Sequence, residues 1–126
     1  METPYADVAA TLQTYFDGLY ESDTERLAAV FHEDARYVCA TDGRLLHLGM
    51  AEYFPIVDDR PSPASRGEAR ADRIVSIEFA GPVTAFARVN CRIGPKHFTD
   101  LLTLIRLDGR WQIIAKVFHY DMMEQA

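Results

Sequence analysis

Two side chains in the last third of the chain have the chemistry of an acid/base pair. Asp100 interrupts the apolar run at 98–104 (FTDLLTL), and His119 lies near the end of the next apolar run. If the Asp-Gly pair at 108–109 forms a two-residue hairpin loop, these side chains are diagonal cross-strand neighbours, about 7 Å apart at the backbone. A carboxylate that orients an imidazole can transfer protons near neutral pH. The spacing therefore predicts Asp100 and His119 as catalytic residues.

The same two residues also have a structural interpretation. An ionised carboxylate inside a sheet is costly unless it is paired or hydrogen-bonded. Asp100 could therefore bind a backbone group near a strand end or pair with an arginine. His119 would then be a surface residue near the terminus.

The same register divides the strand residues between two sheet faces. The face opposite Asp100 mixes large apolar groups with three cations. Both faces are too apolar for a sheet with one side in water, whose strands would alternate apolar and polar residues. Because the helices can cover only one face, a second copy of the chain is the simplest cover for the other. We therefore expect a homodimer through Phe86, Arg88, Asn90, Arg92, Lys116 and Phe118. For Lys116 an ion pair across the interface is favoured, with ligand binding as the alternative.

Aromatic side chains are dense in the segments that would border a cavity between helices and sheet. They suit stacking against a flat ligand, although core packing explains the same spacing. The predicted pocket residues are Tyr15, Tyr37, Cys39, His47, Tyr53, Phe54, Phe98 and Trp111. The expected ligand is an unidentified small apolar or aromatic molecule.

Hydrophobic spacing and turn signals predict the elements that position these residues. Helices are predicted from Pro4, capped by Thr3, over 24–32, and over 49–57, the last short or kinked at Pro55. Strands are predicted over 35–40, 45–48, 71–80, 83–93, 97–107 and 110–120. Gly18 costs the first helix about 1 kcal/mol relative to alanine, which indicates a packing contact there. The pattern predicts one α+β domain over 1–126.

Composition and missing motifs exclude several classes of function. Of 126 residues, 48% are hydrophobic, and the net charge of -6 argues against nucleic-acid or membrane partners. No glycine-rich nucleotide loop, nucleophile elbow or zinc motif is present, so we expect neither a metal nor a cofactor. Cys39 and Cys91 indicate reduced, buried thiols, with a single disulfide as the alternative. Without a basic leader at the N-terminus, we expect a cytoplasmic protein.

Two blocks of the sequence resemble a known family. Residues 15–18 (YFDG), followed by Asp23 and Leu27, resemble the opening of the nuclear-transport-factor-two-like superfamily. Residues 98–104 and 109–119 (GRWQIIAKVFH) resemble its putative lumazine-binding, SnoaL-like branch. The resemblance implies a cone-shaped, curved antiparallel sheet wrapped around three helices, with a pocket between them and dimers formed through the sheet. The superfamily includes ketosteroid isomerases, scytalone dehydratase, polyketide cyclases and non-catalytic members.

The residues and the resemblance together predict a small-molecule pocket protein. The primary hypothesis is an isomerase-, dehydratase- or cyclase-type enzyme for a small apolar carbonyl compound, with proton transfer by Asp100 and His119. Tyr15, Tyr37 or Tyr53 would donate a hydrogen bond to the developing oxyanion. The alternatives are a non-catalytic binder of a flat heterocyclic or aromatic metabolite and a dimeric interaction module without a ligand.

Overall fold

The computed structural model describes residues 3–123, so residues 1–2 and 124–126 of the predicted domain lie outside it. Three helices and six strands follow one another along this part of the chain, and the α+β class is confirmed. Their bounds are α1 (Pro4–Glu21), α2 (Thr24–Val30), β1 (Phe31–Cys39), β2 (Leu46–Gly49), α3 (Met50–Asp59), β3 (Arg73–Phe79), β4 (Thr84–Ile93), β5 (Lys96–Leu107) and β6 (Arg110–Met122).

Local capping determines where the first two helices begin. Thr3 accepts a hydrogen bond from the Ala6 amide at 3.1 Å, and proline occupies the first helical position, as predicted. Asp23 caps α2, because its carboxylate accepts hydrogen bonds from the backbone amides of the second and third residues of that helix. A Cβ atom on Gly18 would lie 2.7 Å from Leu27 Cδ2. The predicted packing contact is therefore confirmed, because glycine lets α1 and α2 approach closely.

The sheet is mixed, in the order β2-β1-β6-β5-β4-β3. Four of its five strand pairs are antiparallel, but β1 runs parallel to β6. The expectation of a wholly antiparallel sheet is wrong at this pair. Parallel neighbours need a long connection, and residues 40–109 supply one, because β2, α3 and three further strands intervene before the chain returns beside β1.

The helices pack against one face of this sheet and leave the other uncovered by the described chain. Tyr15 and Leu12 of α1, Leu27 of α2, and Leu102 and Ile113 of the sheet are fully buried in the core. On the uncovered face, Phe86, Leu101 and Val117 keep 36%, 36% and 46% of their surface exposed. For the described residues, the helices therefore account for one sheet face only.

Three further features concern the cysteines, the helices and the side chains that could bind a metal ion. Cys39 and Cys91 are both buried, as predicted, and neither forms a disulfide. Among residues 3–123, no helix combines the length and the apolar character that a bilayer crossing needs. The same range holds no cluster of three or more side chains that could bind a metal ion.

Candidate functional site

A β-bulge in β6 decides which side chains face the helices. The turn at 108–109 has positive φ at both residues, as a two-residue type I′ hairpin loop requires, so the predicted loop is confirmed. The predicted pairing of Leu104 with Ile113 is confirmed as well. Thr103, however, pairs with Ala115, which leaves Ile114 as an extra residue in β6. A bulge of one residue exchanges the two faces for the rest of the strand.

Beyond the bulge, every predicted cross-strand partner is displaced by one residue. Leu102 lies opposite Lys116, and Asp100 lies opposite Phe118. Lys116 and Phe118 are buried against the helices. Their predicted place in a dimer interface is therefore wrong, because the bulge turns both side chains inward.

The predicted Asp100–His119 pair is also wrong. His119 is exposed on the uncovered face of the sheet. Its Nδ1 atom lies 2.9 Å from Thr41 Oγ1, and its Nε2 atom lies 2.9 Å from Asp121 Oδ1. Asp100 is fully buried on the other face. The structure therefore agrees with the alternative interpretation, in which His119 is a surface residue.

Asp100 instead belongs to a buried cluster with Tyr15, Cys91 and Lys116. The Tyr15 hydroxyl donates a hydrogen bond to Asp100 Oδ2 at 2.5 Å, and Lys116 Nζ lies 3.9 Å from the same oxygen. The Cys91 thiol donates to that oxygen over 3.8 Å. Asp100 Oδ1 is buried and has no hydrogen-bond partner among residues 3–123. One oxygen of the carboxylate thus holds the cluster together, and the other retains free acceptor capacity within the described chain.

Aromatic rings enclose the ammonium group of Lys116. Its Nζ atom lies between 5.1 and 5.9 Å from five ring centroids, those of Tyr15, Tyr37, Tyr53, Phe98 and Phe118. Cation–π attraction is strongest where the cation is desolvated, and reaches about 2 kcal/mol per ring there. The rings and the Asp100 carboxylate therefore compensate for the loss of water around this lysine.

The environment of the buried cluster sets its protonation. Burial is the largest single effect on Lys116 and acts to lower its pKa, but the attraction of Asp100 and smaller contributions from neighbouring ionisable groups together outweigh burial, and the net pKa lies well above the usual lysine value. Burial, and then the Asp100 carboxylate, raise the pKa of Tyr15 and that of the Cys91 thiol. Near neutral pH the cluster accordingly holds an ammonium ion, a phenol and an inert thiol.

A cavity of about 570 Å³ opens beside the buried cluster. Tyr37, Cys39 and Phe98, three of the predicted pocket residues, line it. Phe118 and Tyr120 line it as well, and the predicted register had not placed them there. We use the name aromatic wall for Tyr37, Phe98 and Phe118, since all three rings also contact Lys116 Nζ. The buried ion pair therefore lies directly behind the wall of the cavity.

The other predicted pocket residues lie elsewhere. Tyr15 and Tyr53 are buried behind the aromatic wall, where Tyr53 stacks on the Tyr37 ring at 4.3 Å between centroids. Phe54 lines a separate concavity near the start of β1. Trp111 packs against Phe79, at the end of the sheet next to the 108–109 turn.

His47 is exposed on the edge strand β2, where it pairs with Val38 of β1. Val38 in turn lies beside Val117, one of the exposed residues of the uncovered sheet face. Alternation along the strands therefore places His47 on the outer side of the sheet, away from the cavity.

Sequence reasoning missed the cations of the cavity. Arg44, Arg60, Arg66 and Lys96 contribute to its surface, whereas Asp42 is the only acidic residue among the described ones that does so. The chain as a whole carries a net charge of -6, so this surface has the opposite sign. Because these cations come from turns, from the end of α3 and from the first residue of β5, no strand or helix periodicity brings them together. Arg60 and Arg66, in the proline- and serine-containing segment 58–68 that follows the third predicted helix, were the available signal.

Comparisons with known proteins agree with this architecture. A family model described as Putative lumazine-binding matches residues 4–119. The curated protein Aldolase FrzH from Cladobotryum sp is 27% identical over 117 residues, which cover 91% of this chain and 90% of that protein.

Solved structures share the fold over nearly the whole chain. An NTF-2 like protein of unknown function from Silicibacter pomeroyi matches with a TM-score of 0.83 at 24% identity, covering 93% of this chain and 95% of that one. An NTF2-like protein from Shewanella baltica gives 0.84 at 22% identity, with coverage of 96% and 98%. A ketosteroid isomerase-like protein from Erwinia carotovora atroseptica gives 0.72 at 16% identity, with coverage of 95% and 98%. Similarity at this level of identity concerns the fold alone.

Proposed function

This chain belongs to the Putative lumazine-binding family of the nuclear-transport-factor-two-like superfamily, and from that premise we propose that its cavity binds a small, flat organic molecule. The observation that carries the proposal is the aromatic wall on a cavity of about 570 Å³. Small-molecule sites are concave, largely apolar, and about 300–1,000 Å³ in volume. The rings of Tyr37, Phe98 and Phe118 offer flat apolar surface against which a conjugated ligand can stack.

A ligand screen with a site-blocking variant tests this proposal. We expect flat compounds such as lumazine, 2-naphthamide and 2-naphthoate to raise the melting temperature and to bind in calorimetric titrations. Leu46→Trp should raise their Kd by more than about tenfold, because Leu46 lines the cavity and is 41% exposed, so that the larger side chain occupies part of it. Val75→Trp is the matched control, since Val75 is 42% exposed on β3 and is not part of the cavity wall.

Two results would contradict the proposal. One is a lack of binding by every compound of the screen. The other is an equal effect of the two tryptophan variants on Kd, which would show that the compounds bind outside the cavity.

A second candidate function is catalysis at a carbonyl group, favoured by the relative named as an aldolase, whose match spans 91% of this chain. Aldol addition and carbonyl isomerisation both begin when a base removes a proton next to a carbonyl, leaving an enolate. Here Asp100 Oδ1 would accept that proton, because this oxygen is unpartnered among residues 3–123. The Tyr37 hydroxyl would donate to the enolate oxygen, and the Lys116 ammonium would stabilise its negative charge.

This second function requires that a substrate reach the buried Asp100. Asp100 is fully buried, and the aromatic wall stands between the cavity and the buried cluster. A ring of that wall must therefore rotate before a substrate can reach Asp100. Binding without reaction needs no such movement, and for this reason binding is the primary proposal.

Proton exchange distinguishes the two functions. If the protein is a catalyst, it should exchange the C–H protons next to the carbonyl of a bound compound for deuterium from D₂O. NMR follows this exchange as the loss of the proton signal. Asp100→Asn should abolish this exchange and leave binding in place, whereas His119→Gln should retain it, because His119 is exposed on the uncovered face. Binding without exchange in the unmodified protein identifies a non-catalytic binder. Loss of exchange in His119→Gln would contradict the assignment of the base.

A further inference from the structure

Arg60 is partly buried at the cavity and has unused hydrogen-bonding capacity there. It caps the end of α3, where its backbone N–H donates to the Val57 carbonyl at 3.3 Å, so the helix end determines where its side chain starts. Its Nε and Nη2 atoms are buried and have no hydrogen-bond partner among residues 3–123. The same side chain contributes to the cavity surface. Buried nitrogen atoms of a charged group that lack a hydrogen-bond partner are energetically costly, and an anion that reaches them from the cavity would offset that cost.

The other cations at the cavity are engaged or more accessible to water. Arg66 forms an ion pair with Glu68 at 3.5 Å, and Lys96 Nζ lies 4.6 Å from the centroid of the Tyr120 ring. Arg44 is exposed in the turn between β1 and β2. Within the described chain no carboxylate forms a salt bridge with Arg60. Arg60 is therefore the cation of this surface with the strongest demand for an anionic partner.

We propose that Arg60 binds a carboxylate of the ligand, so that the ligand class is flat aromatic or conjugated carboxylic acids. This inference rests on the proposed function, because it assigns the chemistry of the ligand in the same cavity. A guanidinium group matches a carboxylate in shape and can donate two parallel hydrogen bonds to it. The ring of the ligand stacks on the aromatic wall while its carboxylate meets Arg60. The positive surface of an otherwise acidic protein selects for such a ligand and against neutral analogues.

Two ligands of nearly the same shape distinguish the contribution of the charge to binding from that of the ring. 2-Naphthoate and 2-naphthamide share the ring system and differ in charge at one group. The unmodified protein should bind the carboxylate more tightly than the amide by at least about tenfold, the ratio expected for one hydrogen-bonded charge pair. Inorganic phosphate at the same concentration should not bind measurably, because it offers nothing to the aromatic wall.

Variants of Arg60 test whether this residue is the source of the preference. Arg60→Met keeps the apolar stem and should abolish the preference, so that the ratio of the two Kd values falls to about one, mainly through weaker binding of 2-naphthoate. Arg60→Lys keeps the charge but not the planar fork, and should retain part of the preference. Arg73→Met is the matched control, since Arg73 is exposed on β3 and outside the cavity wall, and it should bind as the unmodified protein does. Melting temperatures without ligand establish that each variant is folded.

The possible outcomes are distinct. Equal Kd values for the two ligands in the unmodified protein would overturn the inference, as would a preference that persists in Arg60→Met. Tight binding of phosphate alone would also overturn it, since the ring would then be dispensable. If neither naphthalene compound nor any other flat compound binds, the proposed function itself has failed. If only 2-naphthamide and other neutral compounds bind, the proposed function stands and the assignment of Arg60 is wrong.

Discussion

Lys116 Nζ lies 3.9 Å from Asp100 Oδ2, and the two side chains keep only 4% and 0% of their surface exposed. Each charge makes the burial of the other tolerable, because an unpaired ion in the core has no water to replace its partner. The pair exists only because the extra residue at Ile114 turns Lys116 inward. The two most buried charges of the described chain therefore depend on one irregularity in one strand.

Removal of one partner of this pair should destabilise the fold strongly. We expect Lys116→Met and Asp100→Asn each to lower the free energy of unfolding by about 3–5 kcal/mol, because each leaves one uncompensated buried charge. The double variant should lose less than the sum of the two, since it buries no net charge. Urea denaturation of all four proteins measures the coupling. Additive losses would show that the two charges do not stabilise each other.

Gly18→Ala should destabilise the protein although alanine favours helices. The new Cβ atom would meet Leu27 Cγ at 2.8 Å in a fully buried contact. We expect a loss of about 1–3 kcal/mol from overpacking, which exceeds the gain of about 1 kcal/mol in helix propensity. In a Leu27→Ala background the obstructing atoms are gone, so there the same substitution should be neutral or stabilising. A destabilisation that is the same in both backgrounds would exclude this contact as its cause.

Alkaline pH should unfold the protein and ionise buried tyrosines together. Burial raises the pKa of Tyr15, reinforced by Asp100, and burial raises that of Tyr37 against the opposing effect of Lys116. A group whose pKa is higher in the folded state contributes stability that is complete below its unfolded value, about 10 for tyrosine. That contribution is lost as pH rises through the folded value. The raised pKa of Lys116 acts in the same direction.

Ultraviolet titration of tyrosinate, followed together with far-UV circular dichroism, measures this coupling. Of the six tyrosines, we expect a late fraction to ionise only as the secondary structure is lost. Tyr15→Phe should remove part of that fraction. Complete ionisation of all six in a protein that is still folded would contradict the burial of Tyr15 and the partial burial of Tyr37.

The uncovered face of the sheet should mediate homodimerisation, as predicted from the sequence, although without Lys116 and Phe118. Leu101 lies between Arg88 and Val117 at the centre of this face. Leu101→Arg places an unpaired charge there and should raise the dimer Kd by at least about a hundredfold. Sedimentation equilibrium measures the change. Tyr5→Arg, on exposed surface of α1, is the control and should remain dimeric.

An unmodified protein that sediments as a monomer would contradict the homodimer itself. A Leu101→Arg protein that stays dimeric would place the interface on another surface. Phe86, Arg88, Asn90 and Arg92 would then lose their predicted role as well.

The elements of the fold were predictable because their signals are local. The Thr3 cap, the proline at position 4 and the Asp-Gly loop at 108–109 act through residues close in sequence, and the structure confirms all three. The same holds for the burial of Asp100, since a carboxylate within the apolar run at 98–104 indicates a buried charge that needs a partner. The two sequence blocks that resemble the family likewise indicate the fold class.

The chain by itself thus determined its helices, its strands, its turns and the presence of a buried acid. The tertiary structure alone decided which residue became the partner of that acid, which strand β6 joins in parallel, and which loop cations reach the cavity. The physical reason is that strand side chains alternate with a period of two, so a single bulged residue reverses every assignment beyond it. Where the bulge forms depends on how β5, β6 and β1 pair across the whole sheet, and residues distant in sequence set that pairing.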